Sequence, residues 1–259
     1  MSHNDIEKGG IEATTPVQAL NGHHASPPSP RPSRIGNPAT LGLFSFASTT
    51  LILSLYNAQA RNIHTPNAVV GMACFCGGLA QLLAGMWEFP RGNAFGGAAC
   101  IRVDVILDGQ LLPRPVVPSY IWRRVPLAPF SSYGAFWLSY ATILIPGSGV
   151  LAAYADAAEE LSSALGIFLV TWMIVTFLFF IASLRKNISF ILLFGFLTIT
   201  FGCLAGGEWT NHVATTKAGG ILGCITALIA YYIGLADMLN AEDQAIVTLP
   251  LGAFSKKIN

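Results

Sequence analysis

Six long apolar stretches alternate with shorter polar links along the chain. They run over Leu41–Ala60, Asn67–Trp87, Tyr133–Leu151, Leu161–Leu184, Ile188–Gly207 and Ala218–Leu239. Each is long enough to cross a hydrocarbon core of about 30 Å as a helix of about 20 residues. Threading them back and forth sorts the cations sharply. One side receives Lys8, Arg31, Arg34, Arg91, Arg102, Arg114, Arg123, Arg124, Arg185, Lys186, Lys256 and Lys257, while the other keeps only Arg61 and Lys217. Links rich in Lys and Arg stay on the cytoplasmic side. The pattern predicts an all-α membrane protein of six transmembrane helices with both termini cytoplasmic.

The stretches differ in texture. The fourth, through Phe168-Leu169-Val170 and Phe177-Leu178-Phe179-Phe180, is apolar all round and predicts the most lipid-exposed helix. In the second, Ala73, Gly77, Ala80 and Ala84 recur every three or four residues, and in the sixth Gly219, Gly223, Ala227, Ala230 and Gly234 do the same. Such smooth stripes let another helix approach closely. They predict tight packing, around a pathway or between subunits. Residues 1–36 form a polar tail rich in Ser, Pro, Asn and His, expected to be disordered, so the first stretch must itself direct insertion. Ser26, Ser29 and Ser33, beside Pro and Arg, are candidate phosphorylation positions. Residues 241–259 are read as a second cytoplasmic tail. The link Ala152–Glu160 carries Asp156, Glu159 and Glu160 and reads as a solvated acidic loop. The link Cys100–Pro129 is the anomaly: four Arg, two Asp and five Pro without helical period, longer than a compact helical protein usually needs.

Composition narrows the chemistry. Hydrophobic residues make up 53% of the chain and charged residues 10%, against about 25% charged in a soluble domain. The net charge of +1 gives no footing for nucleic acid. Of five cysteines, Cys74, Cys76, Cys203 and Cys224 fall in apolar stretches with no Cys-x-x-Cys spacing, which reads as packing rather than metal or redox chemistry. No His lies in a span, no Lys is placed for a Schiff base, and no phosphate loop is present. The expectation is a non-enzymatic protein without metal or cofactor, suited to conduction or facilitated transport.

The few polar residues that enter the membrane are therefore the candidates. Gln81 lies mid-span among Gly and Ala, and Glu88 follows about two turns later on roughly the same face. Asp237 lies near the inner end of the sixth span and Asn57 near the outer end of the first. Asn37-Pro38 is a helix-starting pair, and it leaves free N–H groups that attract anions. An ordinary cap at Asn37 and solvated carboxylates at Glu88 and Asp237 are the plainer readings.

Three blocks are more specific. Asn37-Pro38-Ala39-Thr40-Leu41-Gly42-Leu43 resembles the signature that opens the first helix of the acetate uptake transporter family, also called the succinate–acetate permease or YaaH family. Thr40 stands where that family usually has Pro. Gly77-Gly78-Leu79-Ala80-Gln81, Ala84-Gly85, Glu88-Phe89 and Gly92-Asn93-Ala94-Phe95-Gly96 resemble its second block, and Phe130-Ser131-Ser132-Tyr133-Gly134-Ala135-Phe136-Trp137 its third. The resemblance covers about residues 37–240, and the polar tail points to the fungal branch.

The resemblance implies six-helix subunits assembled as hexamers in a lipid bilayer, the plasma membrane being the expected site. It implies movement of acetate and related small monocarboxylates, often with protons. Carried over, the central hydrophobic constriction falls on Phe46, Tyr133 and Leu197. Asn37, Gln81, Glu88 and Asn93 match polar motif positions, and Glu88 is a candidate proton carrier. A Phe–Tyr–Leu ring can gate by excluding water, with the Tyr hydroxyl offering one hydrogen bond to a carboxylate. Two other readings stand beside this one: a non-conducting receptor or scaffold of the same fold that senses acetate, and a membrane protein linked to ammonium export. In the family the second and third blocks are nearly contiguous. The stretch 100–129 that separates them here reads as a retained intron or as a lineage-specific loop.

Overall fold

The computed structural model describes residues 36–88, 129–241 and 247–254. Asn93, residues 1–35 and 100–128, and the remainder of the C-terminal stretch lie outside the described residues, and the readings made there are neither met nor contradicted.

Six helical rods make up most of the described residues: α1 (Pro38–Asn57), α2 (Pro66–Glu88), α3 (Pro129–Leu144), α4 (Ala158–Ser183), α5 (Ile188–Thr210) and α6 (Val213–Asn240). All but α3 are long and apolar enough to cross a membrane. At 16 residues α3 spans about 24 Å. It begins earlier than its apolar pattern and stops at Leu144, because Pro146 and Gly147 open a short 3-10 turn and Gly149 takes a left-handed φ of 75°. Residues 145–151, read as the end of the third span, are therefore not part of it. Glu159 and Glu160 form the first turn of α4 rather than a loop, where two carboxylates complement the helix dipole.

The ends of the other helices follow from local chemistry. Asn37 Oδ1 accepts from the Ala39 N–H at 3.2 Å and Pro38 occupies the first turn, so α1 starts as its sequence predicts. Asn187 Oδ1 accepts from the Phe190 N–H at 2.8 Å and starts α5. Asn211, at φ 52°, ends α5 and turns the chain directly into α6. Mid-helix hydroxyls satisfy themselves on the preceding turn, as Thr49 does on the Ser45 carbonyl and Thr226 on that of Leu222, both at 2.9 Å.

α1 packs mainly on α6, α5 lies between α4 and α6, and α2 packs on α3 and α1. The small-residue stripes are the seams. Gly219, Gly223, Ala227, Ala230 and Gly234 are all buried. A Cβ on Gly220 would collide with the backbone of α1 at Ala58 N and Ser54 O, so only glycine lets the two rods come this close. α4 is the least buried of the five long spans, as its uniform apolarity predicts.

α2 is not a regular helix. Phe75–Ala80 widens into a π-helical turn. In an α-helix, residues four apart drift about 40° per step around the axis, and a π turn absorbs that drift. Ala73, Gly77 and Gln81 consequently share one buried face.

Residues 247–254 return across the bundle after α6. The Ile188 N–H donates to the Gly252 carbonyl at 3.1 Å and the Ser189 N–H to that of Leu251 at 3.3 Å. Ser189 Oγ also reaches the Leu251 carbonyl at 3.1 Å, and the Tyr232 hydroxyl donates to the Pro250 carbonyl at 2.7 Å. Asn187 and Ala253 form an isolated antiparallel bridge. This part of the expected tail is a strap over the start of α5.

Candidate functional site

Two cavities lie end to end through the bundle. The first, of about 150 Å³, sits where α1 and α3 begin and α2 and α6 end. Its walls are mostly apolar: Leu43, Phe46, Phe130, Tyr133, Phe190 and Phe194. Gln81, Lys186 and Asp237 are its polar side chains outside Tyr133. The second, of about 80 Å³, lies toward the opposite helix ends, among Thr50, Ser54, Asn57, Trp137, Tyr140, Leu197, Thr200 and Glu208.

Phe46 and Tyr133 line both cavities and so form the partition between them. Their ring centroids are 5.3 Å apart. Phe46 is 5% exposed, Tyr133 2% and Leu197 3%, so the partition is closed to water. Leu197 lines only the second cavity, at its edge of the partition. The Tyr133 ring is held among Phe179 at 5.7 Å, Trp172 at 6.2 Å and Phe194 at 6.4 Å. Its hydroxyl lies 2.9 Å from Thr176 Oγ1. Thr176 places its own proton on the Trp172 carbonyl at 2.7 Å, so Tyr133 is the donor in that pair. The proton that the sequence reading offers to a carboxylate is engaged by Thr176 in this structure.

Among the described residues, several buried polar atoms of cavity-lining residues have no hydrogen-bond partner. Both amide atoms of Gln81 are such a case in the first cavity, and Thr50 Oγ1 and Trp137 Nε1 in the second. An unsatisfied buried donor costs about 1–3 kcal/mol, and each such group calls for an occupant. Donors thus stand on both sides of an aromatic partition.

The remaining sequence candidates fall differently. Asn37 is the α1 cap, and its neighbour Ala39 is what reaches the first cavity. Glu88 is completely buried, which overturns its reading as a solvated carboxylate, and it lines neither cavity. Asp237 is partly buried and faces the first cavity rather than open solvent. Asn57 lines the second. Thr176, Trp137 and Glu208 carry more of the site than sequence reading assigned them. Trp137 lay in a quoted block without a role, and Glu208 falls one residue past the expected end of the fifth span.

Known proteins share the sequence and the fold of this chain. The bacterial acetate channel SatP superposes with a TM-score of 0.63 at 28% identity, covering 85% of this chain and all of that one. Accumulation of dyads protein 2 of Saccharomyces cerevisiae is 39% identical over 217 residues, 84% of this chain and 66% of the relative. Acetate permease A of Emericella nidulans is 34% identical over 232 residues, 85% of this chain and 67% of the relative. The chain thus spans about two thirds of the length of these fungal relatives. The GPR1/FUN34/yaaH family matches residues 20–102 and 127–255, breaking off within the stretch 100–129. An integral membrane bundle with a match across most of its length, this chain belongs to the GPR1/FUN34/yaaH family.

Proposed function

We propose that the chain carries acetate and related small monocarboxylates across the plasma membrane, as a channel or a proton-coupled transporter, through the two cavities and the Phe46–Tyr133 partition. The carrying observation is the set of unpartnered buried polar groups, Gln81 on one side and Thr50 and Trp137 on the other. A carboxylate leaving water needs donors, and a hydrogen bond to a charged group contributes about 1.5–3 kcal/mol. Its methyl needs apolar wall, which both cavities supply. The relatives named for acetate support the same substrate class. The reading assigns no bond-making step, so the protein is not an enzyme in it.

On this reading all six rods cross the membrane, both termini are cytoplasmic, and the first cavity is the inner one. Phe46, Tyr133 and Leu197 form the gate. The apolar stripe of Phe75, Leu79, Leu83 and Met86 on α2 faces lipid or a neighbouring copy, in keeping with a hexamer. Uptake of labelled acetate into liposomes holding the purified protein tests the proposal. Uptake should saturate and exceed that of protein-free liposomes. Gln81→Leu should lower it roughly tenfold, the equivalent of one charge-assisted hydrogen bond. No protein-dependent uptake sinks the reading, and leaves the acetate-sensing receptor as the better one.

A further inference from the structure

The two cavities are electrostatically unlike. The inner one has a cation, Lys186, as well as the carboxylate Asp237. The outer one has a carboxylate, Glu208, and no Lys or Arg among its lining residues. Glu208 is half-buried and makes no side-chain hydrogen bond or ion pair among the described residues. A pathway for anions therefore has an unneutralised negative group at its outer cavity. Two carboxylates about 6 Å apart at an effective permittivity of about 20 repel enough to lower occupancy roughly 100-fold.

We propose that Glu208 is the proton-accepting residue of the outer cavity, and that a carboxylate enters only when Glu208 holds a proton. This rests on the acetate pathway proposed above and adds to it the group that ties substrate entry to protons. The proton comes from outside water onto a Glu208 carboxylate oxygen. The neutral carboxyl then donates a hydrogen bond to the entering carboxylate in place of repelling it. The two acids share that proton, the substrate takes it across the Phe46–Tyr133 partition as a neutral acid, and Glu208 is left ionised. Glu88, named from the sequence as a candidate proton carrier, lines neither cavity.

The other titratable groups near this end are Tyr140 of α3, which lines the cavity, Tyr56 at the end of α1, Arg61 and His64 of the α1–α2 link, Tyr154 and Asp156 of the α3–α4 link, Glu159 and Glu160 at the start of α4, and His212 and Lys217 at the start of α6. Apart from Tyr140, none of them is in the lining. His212 is the rival, because its ring can also hold a proton and it follows Glu208 by four residues. Its Nδ1 lies 3.0 Å from Thr215 Oγ1, outside the cavity.

The test is labelled-acetate flux into liposomes between about pH 6 and about pH 8, per acetate anion and after subtracting protein-free leak. Wild type should slow roughly tenfold or more as pH rises. Glu208→Gln should lose this pH dependence, since no group of the outer cavity then changes charge across the range, and any transport it retains should become electrogenic. His212→Gln should keep the wild-type profile. A Glu208→Gln protein with the wild-type pH profile overturns the proposal. A flat profile in His212→Gln overturns it too, whether or not the Glu208 variant folds. Absence of any wild-type flux instead removes the acetate pathway itself, and that result is distinct from a flux that is present but insensitive to Glu208.

Discussion

Tyr133 donates its only hydroxyl proton to Thr176, and its ring is wedged among four aromatic neighbours. The partition is thus built from a side chain already satisfied, and nothing polar on it invites water to linger. Leu197 is the softer edge. Truncating it enlarges a cavity of only about 80 Å³ without touching the Tyr133–Thr176 pair. Leu197→Ala should raise the rate of lactate or succinate relative to acetate several-fold in the liposome assay. Unchanged ratios in a protein that folds and reaches the membrane would remove Leu197 from the gate. Tyr133 was legible from the sequence because a contiguous motif, Phe130–Trp137, carries it, and Phe46 follows the first motif by three residues. Thr176 was not. It sits in a uniformly apolar stretch, and its bond to Tyr133 spans 43 residues that no local pattern connects. Glu208 escaped for a different reason: hydropathy ends the fifth span just before it, while the backbone continues as helix to Thr210.

At the scale of elements, the helices were legible and their irregularities were not. Period and small-residue stripes gave α2 and α6 their buried faces, and Gly219 to Gly234 are where the stripe put them. The π turn at Phe75–Ala80 leaves no trace in composition beyond two adjacent glycines, yet Gln81, which follows it, lines the first cavity. The close approach of α6 to α1 gives a stability test. Gly220→Leu forces a side chain into the backbone of α1 at Ser54 and Ala58. Overpacking typically costs about 1–3 kcal/mol, and the figure should be at or above the top of that range where the obstacle is backbone. Thermal unfolding in detergent should show a clear loss of stability or no folded protein at all. Gly71→Leu, where a Cβ meets nothing within 4 Å, is the control and should unfold like wild type. Equal behaviour of the two variants would mean that the rods do not meet as described.

Over the whole molecule, the start of α1, the end of α2, the α4–α5 link and the end of α6 gather around one cavity, at the end to which the Lys and Arg bias assigns the cytoplasm. The sequon Asn187-Ile188-Ser189 is a poor reporter of that orientation, because Asn187 caps α5 and its backbone pairs with Ala253. Exposed positions serve better. In intact cells a membrane-impermeant thiol reagent should label Ala153→Cys, and should label Val247→Cys only after permeabilisation. The opposite pattern would invert the topology. The strap itself bears on the order in which the molecule can be finished. The first N–H groups of α5 find their acceptors at Leu251 and Gly252, so Ser189 is joined to a residue made 62 positions later. While the ribosome is still adding α6, that first turn has no strap to close it. An unfinished or shortened chain therefore differs from a complete one at a defined place, the opening of α5, even when every membrane helix is already in position.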